Sequence, residues 1–310
     1  MGKTDEKTAE FLSKETIFAE VLNHGIFHGN RAIDPAKLTD LDTASRHQSM
    51  HSKTRDIVKN YNNQMVCMIL GVENQQYIHF AMPLRIMDYD LRSYEKQRQK
   101  IQNEHRRHED LKGDEYLSGF SKEDRLIPVV TLVIYWGDKT WTGPRNLHDI
   151  LEIPEELKKY SELIANYPMH LLEINKIKDL DTYTDELKRV FGFVKYQSDR
   201  EALLKYVQDN EALFREVSPE EYQTIQVVTH SEELENLVPS EIEGGKINMC
   251  KALKELREEG REEGRKEGIQ ATIETMQEVG SSKEVTVTKV ADKFNLLPEE
   301  ADEYVKSYWK

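Results

Sequence analysis

Cysteine is nearly absent from this chain of 310 residues: Cys67 and Cys250 are the only two. Two thiols cannot staple a secreted disulfide framework or build a four-cysteine zinc site, so a reducing, cytoplasmic setting is expected. Long apolar runs are missing too, and with them the segment of about 18–20 residues that a membrane-spanning helix needs. The opening MGKTDEKTAE lacks the apolar stretch of a secretory signal. Positive charge is in deficit, with 43 Lys and Arg against 57 Asp and Glu, a formal net charge of −14. At face value that argues against nucleic acid, because affinity for the phosphate backbone comes largely from cations that displace counterions. What is present is 38% hydrophobic and 32% charged residues, a polar but globular composition long enough for one large domain or two ordinary ones.

The charge is unevenly spread. Residues 197–310 carry 15 Lys and Arg against 26 Asp and Glu, a net of −11, whereas residues 1–196 carry 28 against 31, a net of −3. Within the first part, Leu91 to Arg107 holds six cations (Arg92, Lys96, Arg98, Lys100, Arg106, Arg107) against Glu95 and Glu104. Glutamines at 97, 99 and 102 complete a composition that suits a solvated helix. Such a stretch reads equally as an exposed helical face and as a phosphate-facing one.

Periodicity gives the outline. Phe11, Ile17, Phe18, Val21 and Leu22 fall at helical spacing within residues 8–28, with Gly25 as the stop. Residues 29–52 read as a polar connector. RDIVKNY, the turn signal Asn62-Asn63 and the apolar run MVCMILGV read as a hairpin whose second strand is buried on both faces. A helix is expected from Met82 into the basic stretch, with Pro83 in its first turn. Residues 108–121 read as a loop, LIPVVTLVIYWG as a buried strand, WTGPRNLHDILEI as a turn and short helix, and YPMHLLEI as a further strand. Residues 181–240 read as carboxylate-rich helices. The alternation points to an α/β layer, a mixed sheet covered by helices.

The last segment differs. Gly260, Gly264 and Gly268 recur every four residues in a Glu- and Arg-rich helical background, so they share one stripe. Each costs about 0.5–1 kcal/mol relative to alanine in a helix interior. A homo-oligomer built through this helix and a marginally stable linker are the two readings. Residues 282–310 read as a helical pair broken at Asn295 to Pro298.

One constellation carries chemistry. Asp56 opens the first hairpin strand, Glu73 and Gln75 end the second on one face, and the turn brings Asp56 beside Glu73. Two facing carboxylates call for a cation, and Mg²⁺ held by acids, waters and a substrate phosphate is the natural occupant. Solvated strand ends are the other reading. His47 with His51, and His105 with His108, have spacings that pair on helices, but no third ligand accompanies either pair, and solvated histidines are the plainer reading. Cys67 suits a strand core, Trp136 and Trp141 suit a strand–turn corner, and no phosphate-loop, nucleophile-elbow or dinucleotide motif occurs.

The pattern RDIVKNY…MILGVENQQYIHFAMPLRIMDYDLRSYEKQ, then RLIPVVTLVIYWGDKTWTGPRNLHDIL, then the Glu/Gly-repeat helix, resembles the Rpn family of recombination-promoting nucleases, also called transposases, in the PD-(D/E)XK nuclease superfamily. The likeness runs from about Phe18 to the C-terminus, and PVVTLVIYWG with Trp141 and Gly143-Pro144 is its most specific part. It implies a restriction-endonuclease-like α-β-β-β-α-β core over residues 1–196, an acidic helical connector over 197–245, the Glu/Gly helix over 246–280 and a helical module over 281–310. It implies a Mg²⁺- or Mn²⁺-dependent DNA endonuclease linked to recombination or transposition. Asp56 and Glu73 would be the metal-binding acids, with Glu20 as an auxiliary one and Gln75 in the place of the superfamily's lysine. A neutral amide can orient water but brings no positive charge. Charge would then come from Lys59 or Arg85, and Arg92, Lys96 and Arg98 would face the DNA backbone. The alternative is a weak or inactive nuclease-fold protein that binds DNA or a partner, with a role in phage defence.

Overall fold

The computed structural model describes residues 3–41, 57–70, 78–229, 242–243 and 245–309. The expected first helix is two, α1 (Lys3–Ser13) and α2 (Glu15–Gly25), separated at Lys14, whose ψ of 130° is extended. Gly25 is the last residue of α2, and a Cβ there would lie 2.7 Å from the Leu132 side chain. The polar connector holds a three-residue strand, β1 (Leu38–Asp40), which the sequence reading lacks. Next come β2 (Ile57–Tyr61) and β3 (Met65–Leu70). They form the expected hairpin, turned by Asn62 and Asn63 at φ 51° and 55°, a left-handed conformation that asparagine tolerates.

Helix α3 (Met82–His108) follows with Pro83 in its first turn, as expected. The segment read as a loop instead contains a short helix, α4 (Gly113–Ser118). Strands β4 (Val129–Tyr135) and β5 (His170–Glu173) complete a five-stranded sheet in the order β1-β2-β3-β4-β5. β2 runs antiparallel to both of its neighbours, β1 and β3, and β3, β4 and β5 run parallel. Alternate residues of β4 enter opposite cores: Leu132 and Ile134 on one face, Val133 and Tyr135 on the other, which is why its sequence reads as a continuous apolar run.

The first face carries the main core, built with α1, α2 and the helices α5 (Asp185–Tyr196), α6 (Arg200–Asp209), α7 (Glu211–Phe214) and α8 (Pro219–Thr229). Of the stretch expected as a connector, 197–245, these last helices place Val207, Phe214, Tyr222, Ile225 and Val228 in that core, and residues 230–241 and 244 lie outside the described residues. The second face is covered by α3, through Met82, Ile86 and the partly buried Tyr89, together with Trp141.

A small ribbon, β6 (Ile242–Glu243) and β7 (Lys246–Ile247), leads into α9 (Met249–Glu278). Met249 and Leu253 sit in the main core, while Ile269 and Ile273 belong to a separate cluster with α10 (Lys283–Phe294) and α11 (Pro298–Tyr308). Asn295, at φ 50°, makes the expected break between the last two helices. Of the glycine stripe, Gly268 abuts Phe294, and positions 260 and 264 face open space. Among the described residues no helix is long and apolar enough to cross a membrane.

Candidate functional site

Strand directions decide where the chemistry can lie. The carboxyl ends of β1, β3, β4 and β5 share one edge of the sheet with the amino end of β2, as the pairings Ile57↔Ile69, Leu70↔Val133 and Tyr135↔Glu173 fix. Ligands of open α/β sheets bind in the crevice outside such carboxyl ends. In sequence Asp56 adjoins Ile57 at this edge, and Glu73 and Gln75 follow Leu70 by three and five residues. All three expected catalytic residues lie outside the described residues, as do His47 and His51.

The described part of this edge is built around Glu173, the last residue of β5, only 8% exposed. Its Oε2 accepts from the Trp141 amide at 3.0 Å and from Lys176 Nζ at 2.9 Å, and its Oε1 accepts from the Arg145 guanidinium. Burial presses its carboxyl upward, but Arg145, Lys176 and the amide outweigh burial and hold it below the ordinary glutamate value. The loop that brings Arg145 here folds tightly over the edge. A Cβ at position 137 would collide with the Tyr135 ring and one at 143 with Ile78, so any larger residue would have to displace those side chains. Trp136 and Trp141 are buried at this corner, 4% and 3% exposed, as their sequence position suggested.

Other expected site residues have definite partners. Lys59 is buried on the first face, where Nζ donates to Glu15 Oε1 and to Asp40 Oδ1, both at 2.8 Å. Burial opposes its charge, yet the two carboxylates outweigh burial and hold the ammonium above the usual lysine value. It joins α2, β1 and β2, and so acts as an internal tie rather than an open phosphate contact. Glu20, on α2, accepts from the Thr184 amide at 2.6 Å and from the Thr184 hydroxyl at 2.7 Å. It lines an open groove of about 1590 Å³ together with Glu173, Lys176 and Lys178.

Arg85 donates to Tyr89 Oη at 3.3 Å and lies over that ring. Arg92 pairs with Asp88 and Arg98 with Glu95 along the exposed side of α3, where Lys96 is exposed too. His105 does not pair with His108. Its two ring nitrogens lie 2.8 Å from Asp110 and 2.8 Å from Asp124, and both carboxylates raise its pKa.

Sequence reasoning missed Glu173, Arg145 and a buried carboxylate on α3, Asp90. Asp90 accepts from the Thr131 hydroxyl and the Tyr167 hydroxyl, each at 2.5 Å, and is 4% exposed. Burial and this carboxylate both push the Tyr167 phenol well above its ordinary value. The signal in the sequence was a charge ending an apolar strand, LLE, and one inside a helical stripe, IMDYDL.

The molecule is therefore an α/β protein with a mixed sheet whose carboxyl edge gathers charged side chains. Residues 56–224 match the family described as "Putative transposase, YhgA-like", and the chain belongs to that family. No curated protein and no solved structure matches it.

Proposed function

We propose that this protein is a metal-dependent DNA endonuclease of restriction-endonuclease-like fold, working at the carboxyl edge of the sheet. One observation carries the reading: helix α2, the meander β1-β2-β3, helix α3 and, after the short α4, strand β4 follow in the α-β-β-β-α-β order of such nucleases. Asp56 and Glu73 adjoin one edge of the meander in sequence, and family membership supports a role in transposition or recombination. We assign the ion to Asp56 and Glu73 on the strength of the family resemblance and of their places next to the meander in sequence. Their hard oxygen donors suit Mg²⁺ or Mn²⁺. Glu20 could join them while keeping its bonds to Thr184, since each of its oxygens accepts one hydrogen bond and retains a second lone pair. When bound, the ion would lower the pKa of water and neutralise charge on the scissile phosphate. Gln75 orients the attacking water by hydrogen bonding, and exposed cations of α3 (Arg92, Lys96, Arg98) neutralise backbone phosphates.

Supercoiled plasmid incubated with Mg²⁺ and the protein should be nicked, and Asp56→Ala and Glu73→Ala should each abolish nicking. Equal nicking by all three proteins would sink the assignment. Gln75 in place of lysine favours a second reading, a nuclease-fold protein that holds DNA without cutting it; retention of plasmid without nicking would select it. A second copy of the chain, joined through α9, is the other partner proposed, and a single monomeric species in sedimentation at high concentration would remove it.

A further inference from the structure

We infer that Arg145 and Lys176, held by the buried Glu173, form a seat for a backbone phosphate of a nucleic-acid strand lying across the carboxyl edge. The inference rests on the nucleic-acid reading above and names a contact which that reading does not contain. Three observations carry it.

The first is the anchor. A glutamate buried at the end of a strand is costly unless paired, and this one is paired twice over and also accepts the Trp141 amide. The second is the reach of its partners. The Arg145 and Lys176 side chains are 48% and 47% exposed although each touches a carboxylate that is 7% exposed. The guanidinium presents five donors in a fixed fork and the ammonium three. Beyond Glu173, these side-chain donors make no further hydrogen bond among the described residues. Two cations balanced by one buried carboxylate leave these three side chains with one net positive charge, while Asp149 Oδ2 accepts from the Arg145 backbone amide at 2.7 Å, and Arg145 offers the planar geometry that matches a phosphate.

The third is location. Glu173 pairs with Tyr135 on β4, and Leu70, three residues before Glu73, pairs with Val133 on the same strand. At about 4.8 Å per strand, the seat lies roughly 10 Å from the end of β3 along the edge. Lys176 also lines the groove that reaches Glu20. Gln75 supplies no positive charge, and this seat places one at the same edge.

Binding of a fluorescent duplex in EDTA, followed against salt concentration, tests the seat without any cleavage. Arg145→Gln and Lys176→Gln should each weaken binding about three- to tenfold and lower the slope of log K against log salt by about 1. Lys289→Gln, on the exposed side of the terminal module, should leave both unchanged. Glu173→Gln is the sharper arm. If only total charge mattered, deleting an acid would tighten binding; an anchored seat predicts weaker binding, with a normal melting temperature showing that the fold is intact. Parental affinity and slope in Arg145→Gln and Lys176→Gln, an equal loss in Lys289→Gln, tighter binding by Glu173→Gln, or no duplex binding by the parent would each overturn the inference. Plasmid nicking is read separately. Lost slope without any parental nicking keeps the seat and removes the nuclease reading, and nicking with an unchanged slope does the reverse.

Discussion

The two faces of the sheet are covered by different means. On the first, α1, α2, α5 and α8 bury a large apolar cluster, and polar groups inside it arrive already paired: Arg189 with Glu221, and Lys59 with Glu15 and Asp40. On the second, α3 contributes few buried apolar side chains, and hydrogen bonds supply much of the attachment. Asp90 ties α3 to Thr131 and Tyr167, Tyr94 accepts from the Val129 amide at 3.1 Å, and the Gln97 amide bonds Ile127 twice. Past that point the helix is held by Gln102 to the Ser118 carbonyl and by His105 between Asp110 and Asp124. A helix rich in charge can pack on a sheet when its few polar contacts are buried or half-buried and satisfied, and beyond them only surface links remain.

The largest effect is expected from breaking the pair on the first face. Glu221 accepts from Arg189 Nη2 at 2.7 Å and also closes the start of α8 by accepting from the Ser218 amide at 2.7 Å. Glu221→Ala strands a buried guanidinium, so urea unfolding should show a loss of about 3–5 kcal/mol. A loss below the one expected for the second face would mean that the ion pair is dispensable. On that face Asp90→Ala leaves the buried Thr131 hydroxyl and the half-buried Tyr167 hydroxyl without their acceptor and should cost about 2–3 kcal/mol. Hydrogen exchange should quicken in α3 more than in α5; uniform quickening would contradict the division between the faces.

Lys59→Met should cost about 1 kcal/mol or less, because the thioether keeps the apolar stem and the freed carboxylates, 51% and 71% exposed, return to water. A loss as large as that for Glu221→Ala would show that Lys59 does more than tie strands. The smallest effect is pH-dependent. An imidazole between two carboxylates can donate to both only when protonated, and Asp110 and Asp124 raise the pKa of His105. Its contribution is therefore complete below the ordinary histidine value and fades as pH rises through the elevated one. Protection of the amides at the end of α3 and in α4, taken relative to their intrinsic exchange rates, should fall as pH rises past the ordinary histidine value, and His105→Gln should abolish that fall. A loss of protection with pH that survives the substitution would assign the effect elsewhere.

Much of the fold was legible because its signals are local. The Asn62-Asn63 turn, the apolar runs of β3 and β4, Pro83 at the start of α3 and the break at Asn295 each follow from one residue's conformational preference or from a stretch of constant character. β1 was not legible: LTD has no strand character of its own and exists through its pairing with β2 at Leu38↔Tyr61 and Asp40↔Lys59. The break at Lys14 was hidden likewise, since the apolar spacing runs through it and Lys14 is engaged with Glu220 on α8, 2.6 Å away. Of the proposed site, Asp56, Glu73 and Gln75 were read from spacing and resemblance, whereas Glu173 was passed over because two of its three partners stand apart from it, Trp141 and Arg145 lying 32 and 28 residues earlier.

The amino-acid sequence by itself determined the α/β class, the hairpin, the long polar helices and the family, since composition, periodicity and turn chemistry act over a few residues at a time. Tertiary structure alone decided which charges are spoken for. Lys59 and His105 are each drawn between two carboxylates, Glu20 is bound to Thr184, and Arg145 and Lys176 are gathered at the carboxyl edge by one buried acid. Burial sets what a charge is worth, and burial is a property of segments distant in sequence brought together.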